Sequence, residues 1–275
     1  MAIFLGLVQG IAEFLPISSS GHLSLMQHFF GVQNVENDNL FFSVLLHLGT
    51  LIAVCIVYWN DIVEMIREFC LGIGALFSPK LRTKNPPPAR RLVLMIILGT
   101  LPLFVIMPIK GMVEELYSNT IFIGLALIVT GFVLYLSDQL GAGRKNERTM
   151  KVKDALLIGC GQALAVVPGL SRSGATIASG MMCGLERNFA VRYSFLLSLP
   201  AILGANILSL VDAAQTGIDA SLLPKYIVGM IVAAVVGYFA IRLVKGLAKK
   251  GKFGNFAWYC WGVGILAIVA TFVFY

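Results

Sequence analysis

Six apolar runs, at residues 41–59, 92–109, 121–136, 193–210, 226–244 and 256–274, leave this chain few ways to fold. Each approaches the roughly 20 residues that a helix needs to cross a bilayer core. None shows the period-two alternation of a membrane β-barrel strand. Within lipid, only helices and closed barrels satisfy their own backbone hydrogen bonds. The expectation is therefore an all-α, polytopic integral membrane protein. The balance of 58% hydrophobic to 13% charged residues agrees, being unlike that of soluble domains. A net charge of +7 does not call for nucleic acid, because membrane proteins collect Lys and Arg in cytoplasmic loops. The five cysteines (Cys55, Cys70, Cys160, Cys183 and Cys260) lie in or beside apolar runs without metal-ligand spacing and read as small hydrophobes. The N-terminus runs directly into a polar motif, so no cleavable signal peptide is expected.

Two other segments are apolar but broken. Residues 1–15 are too short to span, Pro16 interrupts them, Ser18, Ser19 and Ser20 follow, and residues 23–30 form a second short arm. Residues 155–167 and 175–183 repeat this plan around Pro168 and Gly169. Short arms around a polar break predict re-entrant helical hairpins at 1–30 and 155–183. The two are copies. At an offset of 153 residues Gln9 meets Gln162, Ala12 meets Ala165, Ser18 meets Ser171, Ser20 meets Ser173 and Gly21 meets Gly174. At an offset of 151, residues 42–49 (FSVLLHLG) meet residues 193–200 (YSFLLSLP).

One membrane domain built of two repeats follows. The first, 1–138, is a hairpin plus spans 41–59, 92–109 and 121–136; the second, 152–275, is a hairpin plus spans 193–210, 226–244 and 256–274. Three spans per repeat is an odd number, so the second copy is inserted upside down and the two tips can meet near the midplane. Loop charge fits this layout. Lys80, Arg82, Lys84, Arg90 and Arg91, then Arg144, Lys145, Arg148, Lys151 and Lys153, then Lys245, Lys249, Lys250 and Lys252 all fall on one face. Glu36, Asp38, Glu114, Glu115, Asp212 and Asp219 fall on the other. The positive-inside pattern then makes the basic face cytoplasmic and both termini external. Two full crossings in place of each hairpin would give the same sides; arm length and the Pro/Gly breaks favour hairpins. The layout is compatible with a homo-oligomer.

The chemistry sits at the two tips. Gln9 and Glu13 are four apart and share one helix face. A carboxylate in such a segment is costly, which favours a functional role over a Glu snorkelling to the surface. Ser18, Ser19 and Ser20 precede a short arm, where they can cap the helix and, with its free N–H groups, hold an anion. For any one serine, capping alone is at least as good a reading as catalysis. His22 is a proton carrier or a packing residue, whereas His28 and His47 lack a polar setting and read as structural. At the second tip, Pro168-Gly169-Leu170-Ser171-Arg172-Ser173-Gly174, Arg172 offers the planar fork best suited to phosphate. Ser171 and Ser173 add hydroxyl donors. The plainer reading of Arg172 is a structural ion pair with Glu13, and the two roles are compatible. Together the tips describe a phosphoryl-transfer site in a membrane, hence a lipid-borne substrate.

At these residues the chain resembles the undecaprenyl-diphosphate phosphatase family, also called bacitracin-resistance proteins. Gln9, Glu13, Pro16, Ser18, Ser19, Ser20, Gly21 and His22 match its first signature, an (E/Q)xxxE pair followed by PxSS(S/T)GH. Pro168, Gly169, Ser171, Arg172, Ser173 and Gly174 match its second, PGxSRSG. The resemblance spans essentially the whole chain; Gln9 stands where many members carry Glu. It implies hydrolysis of the terminal phosphate of an isoprenyl diphosphate, recycling of the lipid carrier for cell-wall polymers, bacitracin resistance, a bacterial inner-membrane location and a divalent cation, Mg or Ca. It also singles out Ser19 as nucleophile among three serines that the residues alone do not separate, with His22 or water as alternatives. Glu13 is then a base, or a cation ligand with Gln9. Arg172, Ser171, Ser173 and Gly174, with Ser18 and Ser20, contact the diphosphate. The rival reading is a transporter or flippase of an anionic or phosphorylated lipid, which would use Arg172 but need no nucleophile beside Glu13 and His22.

Overall fold

The computed structural model describes residues 1–30, 40–78, 86–140, 143–216 and 220–274. Glu36, Asp38, Lys80, Arg82, Lys84 and Asp219, used above to assign sides, lie outside the described residues. The chain forms α1 (Ala2–Ala12), α2 (Ser19–Phe30), α3 (Leu40–Val57), α4 (Trp59–Phe77), α5 (Pro88–Ile106) and α6 (Lys110–Glu115). It continues through α7 (Thr120–Gln139), α8 (Val152–Leu164), α9 (Arg172–Met182), α10 (Arg187–Thr216), α11 (Leu223–Lys249) and α12 (Phe256–Phe274). Among the described residues the only extended pairing is an isolated bridge between Lys145 and Leu185.

Five helices, α5, α7, α10, α11 and α12, are long and apolar enough to cross a membrane, and α3 with α4 makes a sixth as a bent pair. The four hairpin arms are not. They have 11, 12, 13 and 11 residues in α1, α2, α8 and α9, against the roughly 20 of a crossing.

The span expected at 41–59 ends at Val57, and the chain turns by 87° at Tyr58 into α4. The cause is chemical. Asp61, Glu64, Arg67 and Glu68 cannot continue through lipid, so α4 leaves the direction of α3. It is held by ion pairs of Asp61 with Arg192 (2.7 Å) and Glu68 with Arg90 (3.0 Å), while Val63, Ile66, Ile73 and Phe77 stay exposed. The expected span at 92–109 likewise ends early, at Ile106. That expected at 193–210 lies inside the longer α10.

The basic connections gather at one end of the bundle. Arg91 donates to the Met150 carbonyl (2.7 Å), Lys145 pairs with Asp154 (2.9 Å) and Arg187 pairs with Asp138. Lys245 lies over the Tyr58 ring at 4.9 Å, beside the turn where Asp61 meets Arg192.

Between apolar helices in lipid there is little hydrophobic drive, so close backbone approach must supply the contact. α7 packs along α12, α1 along α11 and α5 along α8. The α7–α12 seam needs glycine on both sides: a Cβ on Gly124 would lie 2.8 Å from the Gly264 carbonyl oxygen, and one on Gly264 would lie 2.6 Å from that of Gly124. Beneath the first tip, Phe14 and Ile17 belong to one buried apolar cluster with Tyr58, Phe195, Ile177 and Met181, and Phe14 lies edge-on to Phe195 at 5.5 Å.

Candidate active site

Both hairpin tips are built by the same local chemistry. A serine caps the second arm of each: Ser18 Oγ accepts from the Gly21 N–H (3.2 Å), and Ser171 Oγ accepts from the Gly174 N–H (3.1 Å). Each capping hydroxyl also meets its neighbour two residues on, Ser18 with Ser20 at 3.4 Å and Ser171 with Ser173 at 3.2 Å. The tips differ in backbone. Ser18 is left-handed (φ +68°), whereas the second tip places its positive φ at Gly169 (+90°). A left-handed serine costs roughly 1–2 kcal/mol. The conformation lets the Ser18 carbonyl accept from both the His22 N–H (3.2 Å) and the His22 ring Nδ1–H (2.8 Å).

The tips touch. A Cβ on Gly21 would lie 2.9 Å from the Gly169 Cα, so the two backbones meet where neither has a side chain. Ser173 Oγ donates to the Leu15 carbonyl (3.3 Å). Each tip is also anchored by a long helix. Thr130 of α7 donates to the Gly169 carbonyl (3.1 Å) and accepts from the Ser171 N–H (3.3 Å), while Cys260 of α12 donates its thiol to the Pro16 carbonyl (3.6 Å). Thr130→Val keeps the shape and orphans two buried backbone groups. The expected result is a loss of about 1–3 kcal/mol of stability, read as a lower unfolding midpoint in detergent with the helical content unchanged. A midpoint equal to the wild type would remove Thr130 from this account.

This contact assembles the side chains. Glu13, at the C-terminal end of α1, is buried, and its carboxylate has three partners. Oε2 accepts from Ser19 Oγ (2.9 Å) and Gln9 Nε2 (3.2 Å), and Oε1 accepts from Arg172 Nη2. The Glu13 side chain is 4% exposed and that of Arg172 24%. An approaching ligand therefore meets Arg172, Ser19, Ser20 and His22, with the carboxylate behind them. Two helices, α2 and α9, start here, and helix N-termini attract anions through their unpaired N–H groups.

The expected residues thus occupy different positions within one cluster. Gln9, Glu13, Ser19 and Arg172 form one connected set. Ser18, Ser171 and Ser173 are buried and bonded to backbone, and their hydroxyls pair within each tip, Ser18 with Ser20 and Ser171 with Ser173. His22 has both ring nitrogens engaged. Because a carbonyl can only accept, Nδ1 carries the proton toward Ser18, and in the neutral ring Nε2 accepts from the Tyr259 hydroxyl (2.8 Å). Tyr259, Thr130 and Cys260 were not among the expected site residues, since nothing local marks them. His47 bonds its Nδ1 to the Ser43 carbonyl one turn back (2.9 Å), a structural role.

The second tip lacks the chemistry of the first. Val166 stands where Glu13 stands, and Gln162, the counterpart of Gln9, is 1% exposed with neither amide atom paired among the described residues. As for a cation, no group of three His, Cys, Asp or Glu converges among the described residues, which rules against an all-protein cage there. Mg²⁺ is commonly held by one or two carboxylates plus substrate phosphates. Glu13 with the Gln9 amide oxygen fits that shared kind of site.

A multi-pass helical membrane protein whose hairpin tips join a carboxylate, an arginine and a serine at one point is the class that this fold and site define. The chain belongs to the bacitracin resistance protein BacA family, whose sequence model matches residues 2–266. It is 41% identical to an undecaprenyl-diphosphatase of Methanosphaera stadtmanae, over 99% of this chain and 98% of the relative. Proteins of the same name from Halothermothrix orenii (40%; 99% and 98% covered) and Desulforapulum autotrophicum (42%; 98% and 98%) are similarly close.

Proposed function

We propose that this chain hydrolyses undecaprenyl diphosphate to undecaprenyl phosphate and inorganic phosphate, recycling the lipid carrier for cell-wall synthesis. Bacitracin resistance follows, because the drug sequesters the diphosphate form. The observation that carries the reading is the Glu13 carboxylate, which accepts from the Ser19 hydroxyl and from Arg172 at once, in a chain whose relatives bear the diphosphatase name.

In this mechanism Ser19 Oγ attacks the terminal phosphorus in line while Glu13 Oε2 takes its proton. The bond from that phosphorus to the bridging oxygen breaks, and undecaprenyl phosphate departs with the electron pair. Water then attacks the phosphoserine, and Glu13 returns its proton to Ser19. Arg172 binds the equatorial oxygens, where phosphoryl transfer most needs positive charge. Ser20 and the first-turn N–H groups of α2 and α9 complete the anion site; Ser18, Ser171, Ser173 and Gly174 hold those helix ends in place. Ser19 is preferred to His22 as nucleophile because its hydroxyl already donates to a carboxylate, whereas both His22 nitrogens are occupied. A divalent cation, Mg²⁺ or Ca²⁺, held by Glu13 and Gln9 together with the diphosphate, would supply further charge neutralisation.

The architecture proposed for this activity is two inverted repeats, 1–138 and 152–275, each a re-entrant hairpin plus three spans. Paired features support it: the Ser18/Gly21 and Ser171/Gly174 caps, and the anchoring of Pro16 by α12 and Gly169 by α7. On this reading the protein belongs to the bacterial plasma membrane, with both termini external. This rests on the basic end of the bundle and the positive-inside rule.

Purified protein in detergent is expected to release phosphate from undecaprenyl diphosphate. EDTA should suppress the release, and added Mg²⁺ or Ca²⁺ should restore it. Full activity in EDTA would remove the cation from the site. Absence of phosphate release under all conditions, with transbilayer movement of the intact lipid diphosphate in vesicles, would replace the hydrolase with the flippase reading.

A further inference from the structure

Ser18 holds a backbone conformation that starting a helix does not require. It caps α2, and a capping residue ordinarily takes extended dihedrals. Ser171, which caps α9 in the second tip, does so (φ −81°, ψ 119°), whereas Ser18 is left-handed. Such an outlier persists only where its surroundings hold it. The next residue along is Ser19, whose hydroxyl donates to Glu13.

Both tips make the same first backbone bond. The His22 N–H donates to the Ser18 carbonyl (3.2 Å), and the Ala175 N–H to the Ser171 carbonyl (2.7 Å). Only the first tip adds a side chain. At the 153-residue offset Ala175 stands where His22 stands, so the ring Nδ1–H that reaches the Ser18 carbonyl (2.8 Å) belongs to the tip with the left-handed serine and the nucleophile. That bond alone marks nothing, since His47 makes the same one to Ser43 within α3 (2.9 Å). His22 differs at its other nitrogen. Nε2 lies 2.8 Å from the Tyr259 hydroxyl, and the two rings are nearly parallel (10°) with centres 5.5 Å apart. A neutral imidazole carries one N–H. With Tyr259 donating to Nε2, that proton stays on Nδ1, where the Ser18 carbonyl needs it. The opposite tautomer would turn the Nδ1 lone pair toward a carbonyl oxygen.

We propose that Tyr259 is a positioning residue: it fixes the tautomer of His22, His22 braces the Ser18 carbonyl, and the braced turn aims Ser19 at the phosphorus. The inference rests on the hydrolase reading with Ser19 as nucleophile. In this role no proton passes through His22, and Tyr259 acts without touching the substrate.

Two amides separate the ring nitrogens. Asparagine puts an N–H where His22 carries Nδ1–H, and glutamine puts its amide near the place of Nε2. His22→Gln is expected to lower kcat for undecaprenyl diphosphate by about 10²-fold, the scale of a slightly misplaced reacting group. KM should change little, because Arg172 still holds the phosphate. His22→Asn should recover to within about tenfold of the wild type, the loss of one hydrogen bond. Tyr259→Phe should lower kcat by about three- to tenfold on the same scale. It should add no further loss in the His22→Asn background, where no ring remains to be oriented. His22→Asn as slow as His22→Gln would make His22 a proton carrier and overturn the proposal. So would a Tyr259→Phe loss that persists in the His22→Asn background.

Nitrogen-15 spectra of histidine-labelled protein at about pH 8, above the ordinary imidazole pKa, give a measurement independent of turnover. The His22 signals, assigned by their loss in His22→Asn, should show a protonated Nδ1 and a bare Nε2 in the wild type. Tyr259→Phe should bring in the opposite tautomer. A protonated Nε2 in the wild type, or an unaltered spectrum in Tyr259→Phe, would overturn the assignment. Failure of the wild type to release phosphate, with the spectra as expected, would instead strike the hydrolase reading and leave the brace on Ser18 in place.

Discussion

Replacing Arg172 with alanine is expected to lower kcat/KM for undecaprenyl diphosphate by on the order of 10³-fold or more, the scale of arginine contributions to phosphoryl transfer. The geometry explains why the effect should fall on the rate. Arg172 is the more exposed member of its pair with Glu13, so an arriving phosphate can share the guanidinium without displacing the carboxylate. The leaving group is a lipid phosphate, already acidic, and gains little from a proton. Charge neutralisation is thus the main demand on the protein. Arg172→Lys keeps the charge but loses the planar fork, and should recover only part of the activity.

The substitution also has a structural cost that must be separated from the catalytic one. Without Arg172 the Glu13 carboxylate is buried and short of a partner, and breaking such a pair typically costs about 3–5 kcal/mol. Arg172→Ala alone can therefore lose activity by unfolding. The double variant Glu13→Gln/Arg172→Ala removes both charges and should regain much of the lost stability while staying inactive. Near wild-type turnover in a folded Arg172→Ala protein would refute this account of the site.

The parts of the fold that were legible in the sequence are those fixed by short-range chemistry. Hydrocarbon length separates helices that can cross from arms that cannot, and the 153-residue offset aligns two serine caps that the structure builds with matching hydrogen bonds. Gln9, Glu13 and Ser19 lie within 11 residues of one another, so one motif exposes them all. What was not legible depends on contacts between distant helices. Tyr259 reaches His22 across 237 positions, and Thr130 reaches Gly169 across 39. Neither stands in a polar motif, because a single hydroxyl on an apolar helix is an ordinary occurrence. The turn at Tyr58 was hidden for another reason: residues 41–59 are apolar to their end, and only the charges beyond them, held by Arg192 and Arg90, direct α4 sideways. Nor does the position of Ser171 or Ser173 in a motif say whether the hydroxyl is spent on substrate or backbone. Their bonds to Gly174 and Leu15 show the backbone partner that each already has.

Ser19 and Glu13 should behave as one unit. In wild-type protein, rapid acid quench with substrate labelled on its terminal phosphate is expected to trap an acid-stable phosphoserine that maps to Ser19. Ser19→Ala should abolish the label and lower kcat by on the order of 10³-fold or more, because both Arg172 and the helix N-termini then surround a phosphate with no nucleophile in reach. Glu13→Gln removes the base and should cost roughly 10²–10⁴-fold. It retains a hydrogen-bond acceptor for Ser19, so the loss reports on proton transfer more than on position. Groups that act in one step are not additive; the double variant should therefore be about as slow as the slower single one. Additive losses would mean that Glu13 serves the site independently of Ser19, through Arg172 or a cation. An acid-labile label on His22 would move the nucleophile one turn along α2, which requires the ring to release either Ser18 or Tyr259. Absence of any covalent species, with Ser19→Ala still active, would leave direct attack by water on a phosphate that Arg172 holds.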